Sequence, residues 1–197
     1  MKIVLGLIAL LMWGITDESE ALISAYGQIG VRSASISNEA GDAASDIDGQ
    51  IIKVGAHLDP LPLPISAGIG LTSSTTDSND TTPSGTGLDV GLEVKAWIPF
   101  VPVVTPYVQL SYIISGAHVY DGTVSGVPIK QAYTVTGLTY AAGIEYPLIP
   151  LLGLNFEVVF GELDYTSEKL TENGTESDGT DATLDMMDIM LGAHLSI

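Results

Sequence analysis

Apolar residues in this chain recur at every second position, and that period points to strands rather than helices. From Gln50 to Asp59, Ile52, Val54, Ala56 and Leu58 share one face, opposite Ile51, Lys53, Gly55, His57 and Asp59. Leu88 to Ile98 sets Leu88, Val90, Leu92, Val94, Ala96 and Ile98 against Asp89, Gly91, Glu93, Lys95 and Trp97. Leu138 to Tyr146 and Met187 to Ile197 repeat the pattern, the last placing Asp188, Met190, Gly192, His194 and Ser196 on the second face. A strand turns successive side chains to opposite faces, whereas a helix needs apolar repeats near 3.6. Segments near 22–32, 65–73, 107–117 and 154–164 alternate less cleanly, which makes about eight strands of about 9–12 residues.

Two kinds of connection alternate between these segments. Tight corners occur at Pro60-Leu61-Pro62-Leu63-Pro64, Pro99-Phe100-Val101-Pro102 and Pro147-Leu148-Ile149-Pro150. Long stretches of Ser, Thr, Gly, Asn and Asp lie near 33–48, 74–86, 118–135 and 165–183. Short turns at one end and long polar loops at the other are the layout of a closed, antiparallel, up-and-down barrel of an outer membrane. An even strand count puts both termini beside the Pro-rich corners, which would face the periplasm.

Composition agrees. Hydrophobic residues make up 46% of the 197, yet beyond the N-terminus no apolar run approaches the ~20 residues of a membrane helix. The formal charge is −18, from 6 Lys and Arg against 24 Asp and Glu, which excludes a binding mode built on cationic contacts to nucleic-acid phosphates. Cysteine is absent. Residues 1–21 read as a signal peptide: Lys2 is the positive start, Ile3 to Ile15 the apolar stretch, and Ser19-Glu20-Ala21 the small-residue cleavage site. Residues 22–197 then form one barrel domain, exported to the bacterial outer membrane.

The face opposite the aliphatic one carries Arg32, Lys53, Glu93, Lys95, Glu145 and Glu157 among Gly, Ser and Thr. In a membrane barrel that face turns inward, because lipid cannot solvate charge. A secreted lipocalin-like barrel would do the reverse and line a ligand cavity with its aliphatic face. Eight strands enclose a lumen that side chains fill, so these six residues are expected to form an interior ion-pair network that plugs it.

With that layout, the chain resembles the small eight-stranded outer-membrane barrels of the OmpA transmembrane-domain, OmpX and OmpW type, over nearly the whole mature length. The final segment Gly192-Ala193-His194-Leu195-Ser196-Ile197 resembles the β-signal read by the barrel-assembly machinery, with Gly192, Leu195 and Ile197 at the expected positions. Ile197 stands where the family has Phe or Tyr, and Met190 where a polar residue is common. Tyr107, Tyr112, Tyr140, Tyr146, Phe156 and Phe160 are the candidates for an interfacial aromatic girdle. The resemblance implies a monomeric, non-enzymatic envelope protein, embedded in outer-membrane lipid, whose loops meet an extracellular ligand or surface partner. Its OmpW branch implies instead a passive conduit for small hydrophobic molecules, which needs an apolar pocket opening between strands. Ile51, Ile113 and Met190 on the polar face point toward one.

Three other features bear on chemistry. His57 and His194 are expected as hydrogen-bonded lumen residues near the corners. A lipid-modifying enzyme would need a Ser and a carboxylate beside His118, the one histidine at the level of the outer rim; no Gly-x-Ser-x-Gly or His-Glu-x-x-His motif is present. Acidic residues crowd the first and last loops. Asp42, Asp46, Asp48, Glu176, Asp178 and Asp181 are oxygen ligands of the type that hold Ca²⁺ or Mg²⁺, or else a solvated surface. No EF-hand pattern, resident metal or cofactor is expected. Asn173-Gly174-Thr175 matches a glycosylation sequon only by chance.

Overall fold

The computed structural model describes residues 22–38, 45–59, 64–77, 83–98, 103–149 and 151–196. The strands are β1 (Leu22–Asn38), β2 (Ser45–Asp59), β3 (Ile65–Thr76), β4 (Ser84–Trp97), β5 (Thr105–Val124), β6 (Val127–Ile149), β7 (Leu152–Glu172), β8 (Thr175–Ser177) and β9 (Ala182–Ser196). Neighbours pair antiparallel from β1 to β7, and β9 pairs with both β7 and β1. Eight strands therefore close into a ring, and β8 only folds back on the end of β7. Closure matters because each ladder group finds its partner within the wall, as an apolar surrounding demands.

The outward face is aliphatic: Ile29 is 65% and Leu191 58% exposed, while Glu93, Glu157 and Asp188 inside are at most 2% exposed. This orientation rules out the lipocalin-like alternative, whose aliphatic face would point inward. The apolar band runs from Ile23, Leu58, Tyr146 and Leu195 to Val31, Ile52, Leu138 and Phe160. Beyond it the outer face turns acidic, at Asp48, Glu162 and Asp185.

Strand positions match the alternation, but strand lengths do not. β3 has 12 residues and β6 has 23, so the polar segments near 118–135 and 165–183 are extended hairpins rather than loops. β5 and β6 stay paired up to Val124↔Val127. Ser125 and Gly126 turn the chain with φ of 52° and 83°, and Asn173 and Gly174 do the same with 48° and 79°. Two successive left-handed residues give the two-residue hairpin turn whose twist matches the strands. Above the band the outward positions of these hairpins turn polar, as at Asp121, Lys130, Thr134 and Glu168, so the aliphatic outer face that marks a membrane strand is missing. Bulges add to the ambiguity: between Ile113 and Gly116 the register shifts, and Ile114 and Ser115 both face outward. The predicted signal segment, residues 39–44 with Asp42, most of the Pro-rich corners, and Ile197 lie outside the described residues.

Candidate functional site

The inner faces of the strands fill the ring in three layers. Nearest the Pro-rich corners, Lys53 of β2 lies 2.9 Å from Glu93 of β4 and 3.6 Å from Glu157 of β7. Glu93 Oε2 accepts a hydrogen bond from Tyr26 Oη at 2.6 Å and meets His57 Nε2 at 2.9 Å. Tyr107 Oη donates to Glu157 at 2.8 Å. Lys95 pairs with Glu145, whose other oxygen accepts from Trp97 Nε1 at 3.0 Å. Lys95 Nζ also sits 3.9 Å from the centre of the Tyr107 ring, joining the two groups. Glycines make room for these long side chains. A Cβ on Gly70 would come within 2.5 Å of Glu93 Oε1, and one on Gly143 would collide with Tyr107.

The middle layer is smaller. Arg32 donates from Nε and Nη2 to the two oxygens of Asp188, at 2.8 and 2.9 Å. Asp89 Oδ1 lies 2.9 Å from His118 Nε2, and His118 Nδ1 lies 2.6 Å from Tyr165 Oη. Between this layer and the first is a cavity of about 30 Å³, lined by Arg32, Lys53, Asp89, Glu93 and Asp188 among others. A second, of about 40 Å³, opens among His57, Asp59, Glu145 and His194 at the corner end.

The third layer, toward the hairpin end, is apolar. Ile47, Val135, Leu163 and Leu184 are at most 2% exposed there. Tyr133 meets Tyr120 and Tyr165 edge to face, with ring centres 5.9 and 5.3 Å apart. Tyr133 stands above the outer apolar band; burial, with Tyr120 beside it, pushes its phenol up to about 12. The ring stays uncharged while carboxylates and imidazoles titrate.

All six charged residues singled out from the alternation lie inside the barrel. Lys53, Glu93 and Glu157 come together, as do Lys95 and Glu145, but Arg32 stands apart with Asp188. Sequence reasoning put Asp89 and Asp188 on the correct face without giving them a role. It misplaced Tyr107, which is 1% exposed inside the lumen; Tyr112, Tyr140, Tyr146, Phe156 and Phe160 do face outward. The β5 alternation itself places Tyr107 with Gln109 and Ser111, and that was the available signal. Nor is His118 open at a rim, being 3% exposed. A carboxylate and a serine do approach it: a Cβ on Gly87 would lie 2.5 Å from His118 Nε2 and 2.6 Å from Ser74 Oγ. Both ring nitrogens are nevertheless engaged, by Asp89 and Tyr165, so neither is free to deprotonate the hydroxyl.

The acidic segments are separated by β1. Asp46 and Asp48 are exposed on β2; Glu176 is bonded by Lys169 at 3.0 Å, and Asp181 accepts from the Ser167 amide at 2.8 Å. Asp178 lies between them on the exposed connection. Among the described residues, no group of three or more Asp, Glu or His is placed to hold a metal ion. Of the β-signal positions, Gly192 faces the lumen between Gln28 and Asn155, and Leu195 is 42% exposed outside.

Comparison with known proteins agrees with this architecture. A model of the outer membrane protein beta-barrel domain matches residues 7–194. The structure is similar to that of Neisserial surface protein A (NspA), at 15% identity and a TM-score of 0.55, over 87% of this chain and 96% of that one. It is similar to OprG from Pseudomonas aeruginosa at 11% identity and a TM-score of 0.51, over 91% and 97%. It is also similar to AlkL, at 14% identity and a TM-score of 0.56, over 90% of each. These identities are low enough that the likeness concerns the fold alone. No curated protein sequence matches.

Proposed function

The chain belongs to the outer membrane protein beta-barrel domain family, and from that premise we propose that it is a non-enzymatic barrel with a plugged lumen, acting through its surface. The observation that carries this reading is the layered interior. A row of ion pairs, an Arg–Asp fork and an aromatic cap follow one another along the axis. The cavities among the charged groups are about 30 and 40 Å³, room for little more than a water each. In this reading the Pro-rich corners face the periplasm and the long hairpins face outside. Residues 1–21 direct export, and Gly192, Leu195 and Ile197 engage the assembly machinery.

The hairpin end supports a surface role. Asp121, Glu162, Asp164, Glu168, Glu172 and Glu176 are exposed there. The cations among them, Lys130 and Lys169, each already face a carboxylate, at 3.6 and 3.0 Å. Such a surface favours cationic partners or divalent ions that bridge to anionic lipid. A chelator that leaves surface association and thermal stability unchanged would remove the bridging idea.

One observation favours the conduit reading. An apolar groove of about 580 Å³ on the outer face is lined by Ile29, Val31, Ile52, Ile189 and Leu191, and reaches Ile51 and Met190 in the wall. The β1–β2 and β1–β9 ladders continue unbroken through Gly30, so passage there requires strands to part. Uptake of a hydrophobic dye by cells with and without the protein separates the two readings: equal uptake supports the plug, and faster uptake with the protein supports the conduit.

A further inference from the structure

The cavity between the two charged layers is lined by charges that do not balance. Asp89, Glu93 and Asp188 contribute three negative charges, and Arg32 and Lys53 two positive ones. Arg32 gives two of its five N–H donors to Asp188, and none of the others bonds Asp89 Oδ2. Lys53 is shared between Glu93 and Glu157. Asp89 faces the imidazole of His118 through Oδ1 only. Its Oδ2 has no hydrogen-bond partner, although the residue is 2% exposed. A buried carboxylate oxygen left without a donor or a cation is strongly unfavourable.

We propose that this cavity is a binding site for one monovalent alkali cation, held at Asp89 Oδ2. Hydroxyl-bearing Thr72, Ser111 and Thr139 line the same space, and hard cations take oxygen ligands. The volume, about 30 Å³, suits an ion that has shed its hydration shell. One positive charge closes the count of the lining, and the buried cations Arg32 and Lys53 beside the site disfavour a doubly charged ion. The charged and titratable groups facing the site come from five strands: Arg32 on β1, Lys53 on β2, Asp89 and Glu93 on β4, His118 on β5 and Asp188 on β9. The bound ion links β4 to the strands that close the ring.

The test uses the whole barrel folded in detergent. Its thermal unfolding, followed by loss of the fast-migrating form, is titrated with NaCl, KCl or RbCl against N-methylglucamine chloride at constant ionic strength. An upward shift of the midpoint that saturates with an alkali ion, and disappears in Asp89→Asn, is the expected result. Crystals grown or soaked in RbCl should show anomalous scattering beside Asp89. Identical unfolding in every chloride, or a saturating shift that survives in Asp89→Asn, overturns the proposal. If that variant does not fold, the wild-type salt comparison and the rubidium position decide. No rubidium beside Asp89, together with salt-independent unfolding, would mean that His118 and water satisfy the carboxylate instead.

Discussion

Arg32 and Asp188 face each other directly across the β1–β9 pair, the seam where the first strand meets the last, and are joined by hydrogen bonds of 2.8 and 2.9 Å. The pair spans 156 positions of sequence and is almost fully buried. An ion pair so placed specifies register more than it adds stability, because slipping β1 by one residue would turn Arg32 into lipid.

Removing one partner should therefore cost far more than removing both. Asp188→Ala is expected to lose about 3–5 kcal/mol by leaving the guanidinium buried alone, whereas the double change Arg32→Met, Asp188→Leu should come close to neutral. Urea unfolding in micelles, read by tryptophan fluorescence, measures the difference. Equal losses would show that the pair does not act as a unit.

The outer face carries a depth-dependent prediction. Val54, mid-band on β2 and 47% exposed, should lose about 2–4 kcal/mol as Val54→Arg in a bilayer, falling to about 0–1 for Thr75→Arg above the band. The same two variants compared in lipid vesicles would reverse or equalise these costs only if the band is not in contact with hydrocarbon.

The plug makes an electrical prediction. In planar bilayers the wild-type barrel should show no steady conductance, while Lys53→Ala combined with Glu93→Ala should open small, brief events. Tyr26 and His57 lose their bonded partner in that variant, and Glu157 keeps only Tyr107. Steady wild-type conductance would contradict a filled lumen.

Closure and processing can be read together. Unheated protein from the outer-membrane fraction should migrate faster in SDS than boiled protein, since a closed ladder resists the detergent. Mass spectrometry of that fraction should find a chain starting near residue 22. An intact N-terminus would remove the signal-peptide assignment while leaving the barrel untouched.

The hairpin tips give a local prediction. Gly126 has a φ of 83°, so Gly126→Val should cost about 1 kcal/mol or more at the tip and increase proteolytic nicking there without changing heat-shifted mobility. A global loss of stability would mean that the hairpin supports the ring.

Asn173-Gly174 shows how a local signal can be passed over. An Asn-Gly pair between extended segments is among the strongest short-range marks of a hairpin, yet here its polar flanks read as loop. The same cause hid the upper parts of β5, β6 and β7. Tyr107 failed differently: its type suggested a girdle, while its position in the alternation placed it inside.

The sequence by itself pointed to an antiparallel barrel and, away from the bulge after Ile113, determined which residues share each face, because a period of two leaves no freedom. Lys53, Glu93 and Asp188 were legible as members of the charged face for that reason, and the structure turned that face inward. Which of them meet was decided only by the tertiary structure. Partners such as Arg32 and Asp188 are set by ring closure and strand stagger, and periodicity along one strand carries no information about the register of another. The orphaned oxygen of Asp89 and the cavity beside it likewise exist only where the strands of the closed ring converge.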